Sequence, residues 1–178
     1  MSLPIYRIGH STRTIDEFIA MLQASDIETL VDVRSIPRSR TNPQFNRDVI
    51  DKTLADAGID YAHLAALGGR RGRSREIAPD VNAFWDNASF HNYADYAMTP
   101  AFREGFDTLR RIARKRRCAI MCSEAVWWRC HRRIIADYLI HAGETVLHIV
   151  GPHRVEPAHI TAAATPGPHG TLVYRAAA

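Results

Sequence analysis

Short apolar segments alternate along this chain with longer segments in which apolar residues recur every three or four positions. The short segments include PIYRIG at 4–9, ETLVDVR at 28–34 and CAIMC at 118–122. The longer ones, such as 15–22 and 102–113, place their apolar residues on one face of a helix. Strands that alternate with helices form a parallel sheet covered by helices. We therefore predict an α/β fold: a three-layer, open, mostly parallel sheet with helices on both faces, in a single compact domain.

The length of 178 residues fits one domain, which we place at 1–150, followed by a loop-rich C-terminal extension at 151–178 that is rich in Pro, Gly and His. No apolar run approaches the roughly 18 residues of a membrane span, and the N-terminal segment does not resemble a signal peptide. We expect a cytoplasmic protein without a membrane partner. The oligomeric state stays open.

The net charge is +4, and the basic side chains are almost all arginine, with lysine only at Lys52 and Lys115. Arginine binds phosphate and carboxylate through two parallel hydrogen bonds. A GC-rich genome, which favours arginine codons, explains the same bias. A pI near 9.2 permits contact with nucleic acid but does not establish it.

Polar residues follow four of the predicted strands. In an open parallel sheet, ligands bind beyond the carboxyl ends of the strands. We therefore expect these residues to share one edge of the sheet and to form a site. They are Gly9, His10 and Ser11 after the first strand, Asp32 and Arg34 at the second with Ser39 beyond it, Gly68 and Gly69 after the third (59–67), and Cys122 and Glu124 after CAIMC.

Each of these residues has a catalytic and a structural interpretation. His10 is a candidate general acid or base, or else a capping or solvated histidine. Asp32 and Arg34 lie two positions apart on one face of a strand, where they form either a structural ion pair or part of an anion site. Gly68 and Gly69 form a simple turn or let backbone N–H groups approach an anion.

Cys122 ends a strand shortly before a predicted helix at 127–141. Helix N-termini and nearby arginines lower the pKa of a thiol, so Cys122 is a candidate nucleophile; the alternative is a small buried apolar residue. Cys130 and His131 fall inside the predicted helix. Adjacent helical residues point about 100° apart, and we therefore expect that both cannot easily serve one site.

Zinc sites take about four ligands, and Cys122, Cys130, His10 and His63 could supply them. The sequence has no C-x-x-C pair, so we predict no metal site. It also lacks a P-loop and a G-x-G-x-x-G motif after a strand, so we predict no cofactor.

The motifs taken together resemble those of the domain of unknown function 488 family over roughly residues 5–150. They are Ile8-Gly9-His10-Ser11, Val31-Asp32-Val33-Arg34 with Pro37 and Ser39, Leu67-Gly68-Gly69, Cys122-Ser123-Glu124 and Cys130-His131-Arg132. The resemblance implies a compact α/β bacterial domain and no particular activity. Members commonly have a polar, proline-containing segment before the Cys-His-Arg element, where this chain has Ala125-Val126-Trp127-Trp128.

Our leading hypothesis is an enzyme that acts on a phosphate-bearing substrate, a nucleotide or nucleic acid. Arg34 and Arg132 would bind the anion, His10 or Glu124 would transfer protons, and Cys122 would be the nucleophile of any covalent step. One alternative is a nucleic-acid-binding module without catalysis, in which the arginines of 70–75 and 110–117 contact phosphates. A further alternative is a thiol or metal sensor that uses Cys122 and Cys130.

Overall fold

The computed structural model describes residues 2–177, and its main element is a six-stranded sheet. The first five strands pair in parallel and the sixth pairs antiparallel at the edge. Their spatial order is β3-β2-β4-β1-β5-β6. The mostly parallel sheet that the sequence predicts is thus confirmed. The strands are β1 (Ile5–Gly9), β2 (Thr29–Asp32), β3 (Asp60–His63), β4 (Cys118–Cys122), β5 (Val146–Gly151) and β6 (Arg154–Pro157).

Helices cover both faces of the sheet and bury a separate apolar core on each. Helices α1 (Ile15–Ala24) and α2 (Arg47–Asp56) pack on one face, and α4 (Pro100–Lys115) and α5 (Arg132–His141) pack on the other together with α3 (Ala88–Tyr96). Every residue of β1, β2 and β4 is buried. Strands covered on both faces are mostly apolar along their length, which explains the continuous run of CAIMC.

Local signals set the beginnings of three helices. The Thr14 hydroxyl accepts the backbone N–H of Glu17 at the start of α1, and Asn87 accepts the N–H of Ser89 and Phe90 at the start of α3. Pro100 occupies the first position of α4, where the missing N–H costs nothing. These contacts satisfy N–H groups that have no partner within the helix.

The predicted start of α5 at 127 is wrong. Residues 127–129 form a single 3₁₀ turn, Cys130 is extended (φ −123°, ψ 145°), and the α-helix begins only at Arg132. Cys130 and His131 therefore precede the regular helix, and the 100° rule does not govern the directions of their side chains. This break in the helix brings the two side chains to the same place.

The segment after Gly151 is packed against the domain. Strand β6 extends the sheet beside β5, and β7 (Ala164–Pro166) and β8 (Leu172–Tyr174) form a separate hairpin. Tyr174 is fully buried, and its hydroxyl donates to Asp137 Oδ2 in α5 at 2.9 Å. The C-terminal segment thus completes the core on the α5 side.

Among residues 2–177, no helix combines the length and the apolar character that a membrane-crossing segment requires.

Strands β2, β4 and β1 are direct neighbours in the middle of the sheet. Gly9 pairs with Cys122, and Asp32 pairs with Met121. Because the three strands are parallel and in this register, their carboxyl ends meet at one edge. The edge gathers the polar residues that follow each strand.

We predict that Phe102→Ala lowers the free energy of unfolding by about 3–5 kcal/mol. Phe102 is buried between α4, α3 and α5, with its ring 5.0 Å from that of Tyr138 and 5.7 Å from that of Phe106. Phe84→Ala is the control, because Phe84 is 39% exposed, and it should cost about 1 kcal/mol or less. Urea unfolding of both variants checks this; equal losses would contradict it.

Candidate functional site

A cavity of about 530 Å³ opens at the edge where β1, β2 and β4 end. It is bounded by the loops after these strands, by the start of α3 and by the segment that leads into α5. Its lining is rich in arginine and contains two cysteines and two histidines. The lining residues are His10, Arg34, Ser35, Ile36, Arg38, Ser39, Gly69, Arg70, Asn87, Ser89, Phe90, Cys122, Ser123, Glu124, Arg129, Cys130 and His131.

Arg34 is held at the cavity wall by a buried ion pair with Asp32. Its Nε donates to Asp32 Oδ1 at 2.9 Å and its Nη2 to Oδ2 at 2.7 Å. Tyr61 donates its hydroxyl to Oδ2 at 2.5 Å, and Arg34 Nη2 also donates to the Phe45 carbonyl at 2.6 Å. Both interpretations of this pair, the structural ion pair and the anion site, are compatible with the geometry, because Asp32 fixes the guanidinium without using all of its donors.

Two buried polar atoms at the cavity lack a partner among the residues that the structure describes: Arg34 Nη1 and His10 Nε2. Arg34 is 6% exposed and His10 is 1% exposed. A buried polar group without a partner costs about 1–3 kcal/mol. A ligand that accepts from Arg34 and donates to His10 would recover that cost.

His10 is a hydrogen-bond acceptor and a base. Its Nδ1 donates to the Ser11 carbonyl at 2.8 Å, which leaves the lone pair on Nε2. Burial, together with the nearby charges of Arg34 and Arg132, lowers the pKa of His10 to about 4. The ring stacks on Phe45 at 4.3 Å. His10 is therefore neutral at pH 7 and suited to accept a proton rather than to donate one.

The sulfur of Cys130 receives more N–H groups than a neutral thiol requires. Arg132 donates to it from its side-chain Nε at 3.2 Å and from its backbone N at 3.4 Å. His131 Nδ1 lies 3.4 Å from the same sulfur. Sulfur is a weak acceptor when it is protonated, so the two N–H contacts from Arg132 favour the thiolate.

The two pocket cysteines therefore ionise very differently. Burial raises the pKa of Cys130, but the Cys122 thiol, the Arg132 charge and His131 outweigh it and hold that pKa well below the usual value. Burial and the contact with Cys130 raise the pKa of Cys122 well above the usual value. These pKa shifts favour ionisation of Cys130, whereas position in the sequence had favoured Cys122.

His131 connects three parts of the site. Its Nε2 donates to the Val33 carbonyl at the end of β2 at 2.9 Å, so Nδ1 is the nitrogen that faces Cys130. A Cβ on Gly69 would lie 2.5 Å from His131 Nδ1, and only glycine fits there. The expectation that Cys130 and His131 cannot serve one site is wrong, because the chain is not helical at Cys130.

Arg132 lies behind Cys130 and is 1% exposed. Its Nε donates to the Cys130 sulfur, and its Nη2 donates to the Glu124 carbonyl. Gly9 packs against the same stretch of backbone, and a Cβ there would collide with the Glu124 carbonyl. Arg132 and Gly9 thus hold the loop after β4 in place from below the cavity and do not reach its surface.

The structure brings most of the predicted site residues together. Two residues expected to bind the anion are engaged elsewhere through their backbone: the Gly68 N–H donates to the Ala65 carbonyl, and the Ser11 carbonyl accepts from His10 Nδ1. Those that line the cavity are His10, Arg34, Ser39, Gly69, Cys122, Glu124, Cys130 and His131; those that do not are Gly9, Ser11, Asp32, Gly68 and Arg132.

Sequence reasoning missed one wall of the cavity. Asn87, Ser89 and Phe90 come from the start of α3, in a stretch with no clear periodicity and no strand to locate it. Arg38 and Arg129 were also missed as lining residues, although the concentration of arginine around Cys130 was a usable signal.

The cavity is strongly basic. Four arginines line it against one carboxylate, that of Glu124. Guanidinium groups bind phosphate and carboxylate oxygens, and a cavity lined by one sign of charge attracts the opposite sign. The site therefore suits an anion.

Three potential metal-ligand atoms, from Cys122, Cys130 and His131, lie within 4.8 Å of one another. Structural zinc sites take four protein ligands, and the described residues supply three here. The Arg132 guanidinium donates to the Cys130 sulfur, so a fixed positive charge already occupies one side of it. The geometry fits a hydrogen-bonded thiolate better than a metal centre.

We predict that iodoacetamide labels Cys130 at pH values where ordinary thiols, with a pKa of about 8.5, scarcely react. The reason is that His131 and Arg132 stabilise its thiolate. Mass spectrometry of peptides labelled across a pH series checks this. Cys118, whose pKa burial raises to about 12, is the internal control. Labelling of Cys122 before Cys130 would contradict the assignment.

Lowering the pH from 7 to 5 should reduce the free energy of unfolding, with about 2 kcal/mol coming from His10. The folded pKa of His10 is about 4 and the unfolded one about 6.5. The unfolded chain therefore binds the proton first, and stability falls as the pH drops through this interval. His148, with a folded pKa of about 3, acts in the same direction. Urea unfolding at both pH values should show a weaker dependence in His10→Gln; an equal dependence would exclude the buried neutral His10.

Comparison with known proteins agrees with the motifs. A search of curated proteins and a search of solved structures each found no match to this chain. A family model described as "Domain of unknown function DUF488" matches residues 14–139. The match includes Asp32, Arg34 and Cys122 and the Cys130-His131-Arg132 motif; it is narrower than the resemblance at 5–150, and His10 precedes it. Since the matched stretch is more than half of the sequence, the chain belongs to the DUF488 family.

Proposed function

We propose that this protein is an enzyme that acts on a phosphate-bearing substrate, a nucleotide or nucleic acid, with Cys130 as its nucleophile. The observation that carries the proposal is the Cys130 sulfur, which faces a basic cavity and is contacted by Arg132 Nε at 3.2 Å and His131 Nδ1 at 3.4 Å. A thiolate in a basic cavity is the arrangement that attack by cysteine on a phosphate ester requires.

Phosphate binding would use hydrogen-bond donors that have no other partner among the described residues. Arg34 Nη1 is buried and unpartnered within the described part of the chain, and Asp32 fixes the guanidinium plane. Arg38, Arg70 and Arg129 also line the cavity. Charge-assisted hydrogen bonds from guanidinium to phosphate are about twice as strong as neutral ones, and they grow stronger as charge develops in the transition state.

In the first step, the Cys130 sulfur would form a bond to phosphorus while the bond from phosphorus to the leaving oxygen breaks. The proton that Cys130 loses on ionising would reside on His131 Nδ1, the nitrogen that faces the sulfur. That imidazolium is then the proton donor for the leaving oxygen. Cys122, whose pKa is raised, stays protonated.

In the second step, water would attack phosphorus and release the thiolate. His10 Nε2 is the candidate base among the predicted catalytic residues, because it is neutral and carries a free lone pair. It would take one proton from the water. The net reaction is hydrolysis of a phosphate ester, and the enzyme returns to its starting protonation after His10 and His131 exchange one proton through solvent.

The runner-up is a nucleic-acid-binding module without catalysis. Several of the arginines that would contact the nucleic acid already have partners within the protein. Arg110 pairs with Glu144, Arg116 pairs with Asp60, and Arg71 stacks on Tyr96 at 3.8 Å. Groups engaged in this way offer less charge to a nucleic-acid backbone. We therefore rank the enzyme first.

A cytoplasmic location belongs to the same proposal. Cys118, Cys122 and Cys130 are all free thiols, and a working thiolate needs a reducing compartment to stay reduced.

We predict that Cys130→Ser lowers phosphate release from nucleotides by at least about 100-fold, because a serine hydroxyl is not ionised at neutral pH. The assay measures inorganic phosphate from nucleoside mono-, di- and triphosphates and from 5′-phosphorylated oligonucleotides.

Cys118→Ser is the matched control, since Cys118 is buried at the other end of β4, away from the cavity, and this variant should retain the wild-type rate. Wild-type turnover in Cys130→Ser would refute the nucleophile. Salt-dependent binding of oligonucleotides with no turnover by the wild-type protein would instead establish the binding module.

A further inference from the structure

Cys122 and Cys130 form a pair of sulfurs in one cavity. The two lie within 4.8 Å of each other, together with His131. Both are reduced, and both line the cavity although each is only 4% exposed. A small neutral molecule can therefore reach the sulfurs through the cavity.

The pair is chemically asymmetric. Cys130 accepts two N–H groups from Arg132 and faces His131, whereas burial and the contact with Cys130 raise the pKa of Cys122. Cys130 is thus the thiolate and Cys122 the thiol. A low-pKa cysteine beside a second cysteine that can resolve it is the arrangement found in peroxide-reactive sites.

We propose that this pair is an oxidation site for hydroperoxides, in which Cys130 reacts first and Cys122 closes a disulfide with it. The Cys130 thiolate attacks the terminal peroxide oxygen; an S–O bond forms, the O–O bond breaks, and the leaving oxygen takes up a proton to become water or an alcohol. The product is a sulfenic acid on Cys130. The Cys122 sulfur then attacks the Cys130 sulfur, and hydroxide leaves with the Cys122 proton as water.

Oxidation would change the structure around Arg132. A disulfide sulfur is a poor acceptor, so Arg132, a buried cation, would lose its anionic partner, which is costly in a buried site. The seven residues 123–129 connect the two cysteines and include Glu124, whose carbonyl accepts from Arg132. They also include Trp127, which stacks on His148 at 4.7 Å. Closing the disulfide should move this segment and alter tryptophan fluorescence.

The proposal shares the Cys130 thiolate with the proposed function but needs no phosphate substrate, so the two can fail separately. Hydrogen peroxide is added to the reduced full-length protein at low concentration, and remaining thiols are alkylated. Peptide mass spectrometry without reductant should find a Cys122–Cys130 disulfide within one chain and a free Cys118. Cys130 should be consumed at least about tenfold faster than Cys118.

Two variants separate the steps. In Cys122→Ser the sulfenic acid on Cys130 should persist and be trapped by dimedone. In Cys130→Ser the peroxide should leave Cys122 unmodified. Cys118→Ser is the matched control and should form the disulfide like the wild type. If a variant fails to fold, the peptide map of the oxidised wild-type protein still shows whether the Cys122–Cys130 disulfide forms.

The proposal is overturned if Cys130 resists peroxide, if Cys122 is oxidised first, or if the bonds form only between chains. A second outcome is that the oxidised wild-type protein forms the mapped disulfide and still releases phosphate. That result would support this inference and would overturn the role of Cys130 as the nucleophile in the proposed function. A peroxide-inert Cys130 with active phosphate release would do the reverse.

Discussion

The buried charge of Arg132 organises the candidate site. A guanidinium is effectively always protonated, and an uncompensated charge in a protein interior costs several kcal/mol. Arg132 is 1% exposed and finds its compensation in the Cys130 sulfur and the Glu124 carbonyl. The ionisation of Cys130 is therefore part of what makes the buried arginine tolerable. The same contacts that stabilise the fold here favour the ionised form of Cys130.

The remaining features of the site follow from the way the sheet presents its edge. Three neighbouring parallel strands end together, and the loop after β4 lies over the end of β1 only because Gly9 has no side chain. His131 fixes the segment before α5 to the end of β2 through the Val33 carbonyl. The Asp32–Arg34 pair holds a cationic wall rigidly while leaving Nη1 unused. Rigid placement of unsatisfied donors is what distinguishes an anion site from a solvated basic surface.

Two interpretations that the sequence left open depend on hydrogen bonds that only the folded chain shows. His10 could have been an acid or a base, and the Ser11 carbonyl together with burial makes it a base. The sequence made Cys122 either a nucleophile or a buried apolar residue, and the contacts of Arg132 with the Cys130 sulfur favour Cys130 as the thiolate instead. Position beside a predicted helix start was a poor guide for Cys122, because no helix begins there and the α-helix starts at Arg132.

The sequence by itself determined the parallel α/β sheet, the helices on both faces and the edge at which the site lies. It could do so because apolar periodicity and caps such as Thr14 are local properties of the chain. Tertiary structure decided which cysteine is favoured to ionise and which ring nitrogen of His10 and of His131 faces the site. It also decided that the start of α3 forms one wall of the cavity. Those outcomes depend on distances of a few ångströms between side chains and backbone, in part between residues far apart in the sequence, such as His131 and Val33. Hydrogen bonds and short-range electrostatic interactions act over such distances, and no pattern along the sequence specifies these distances.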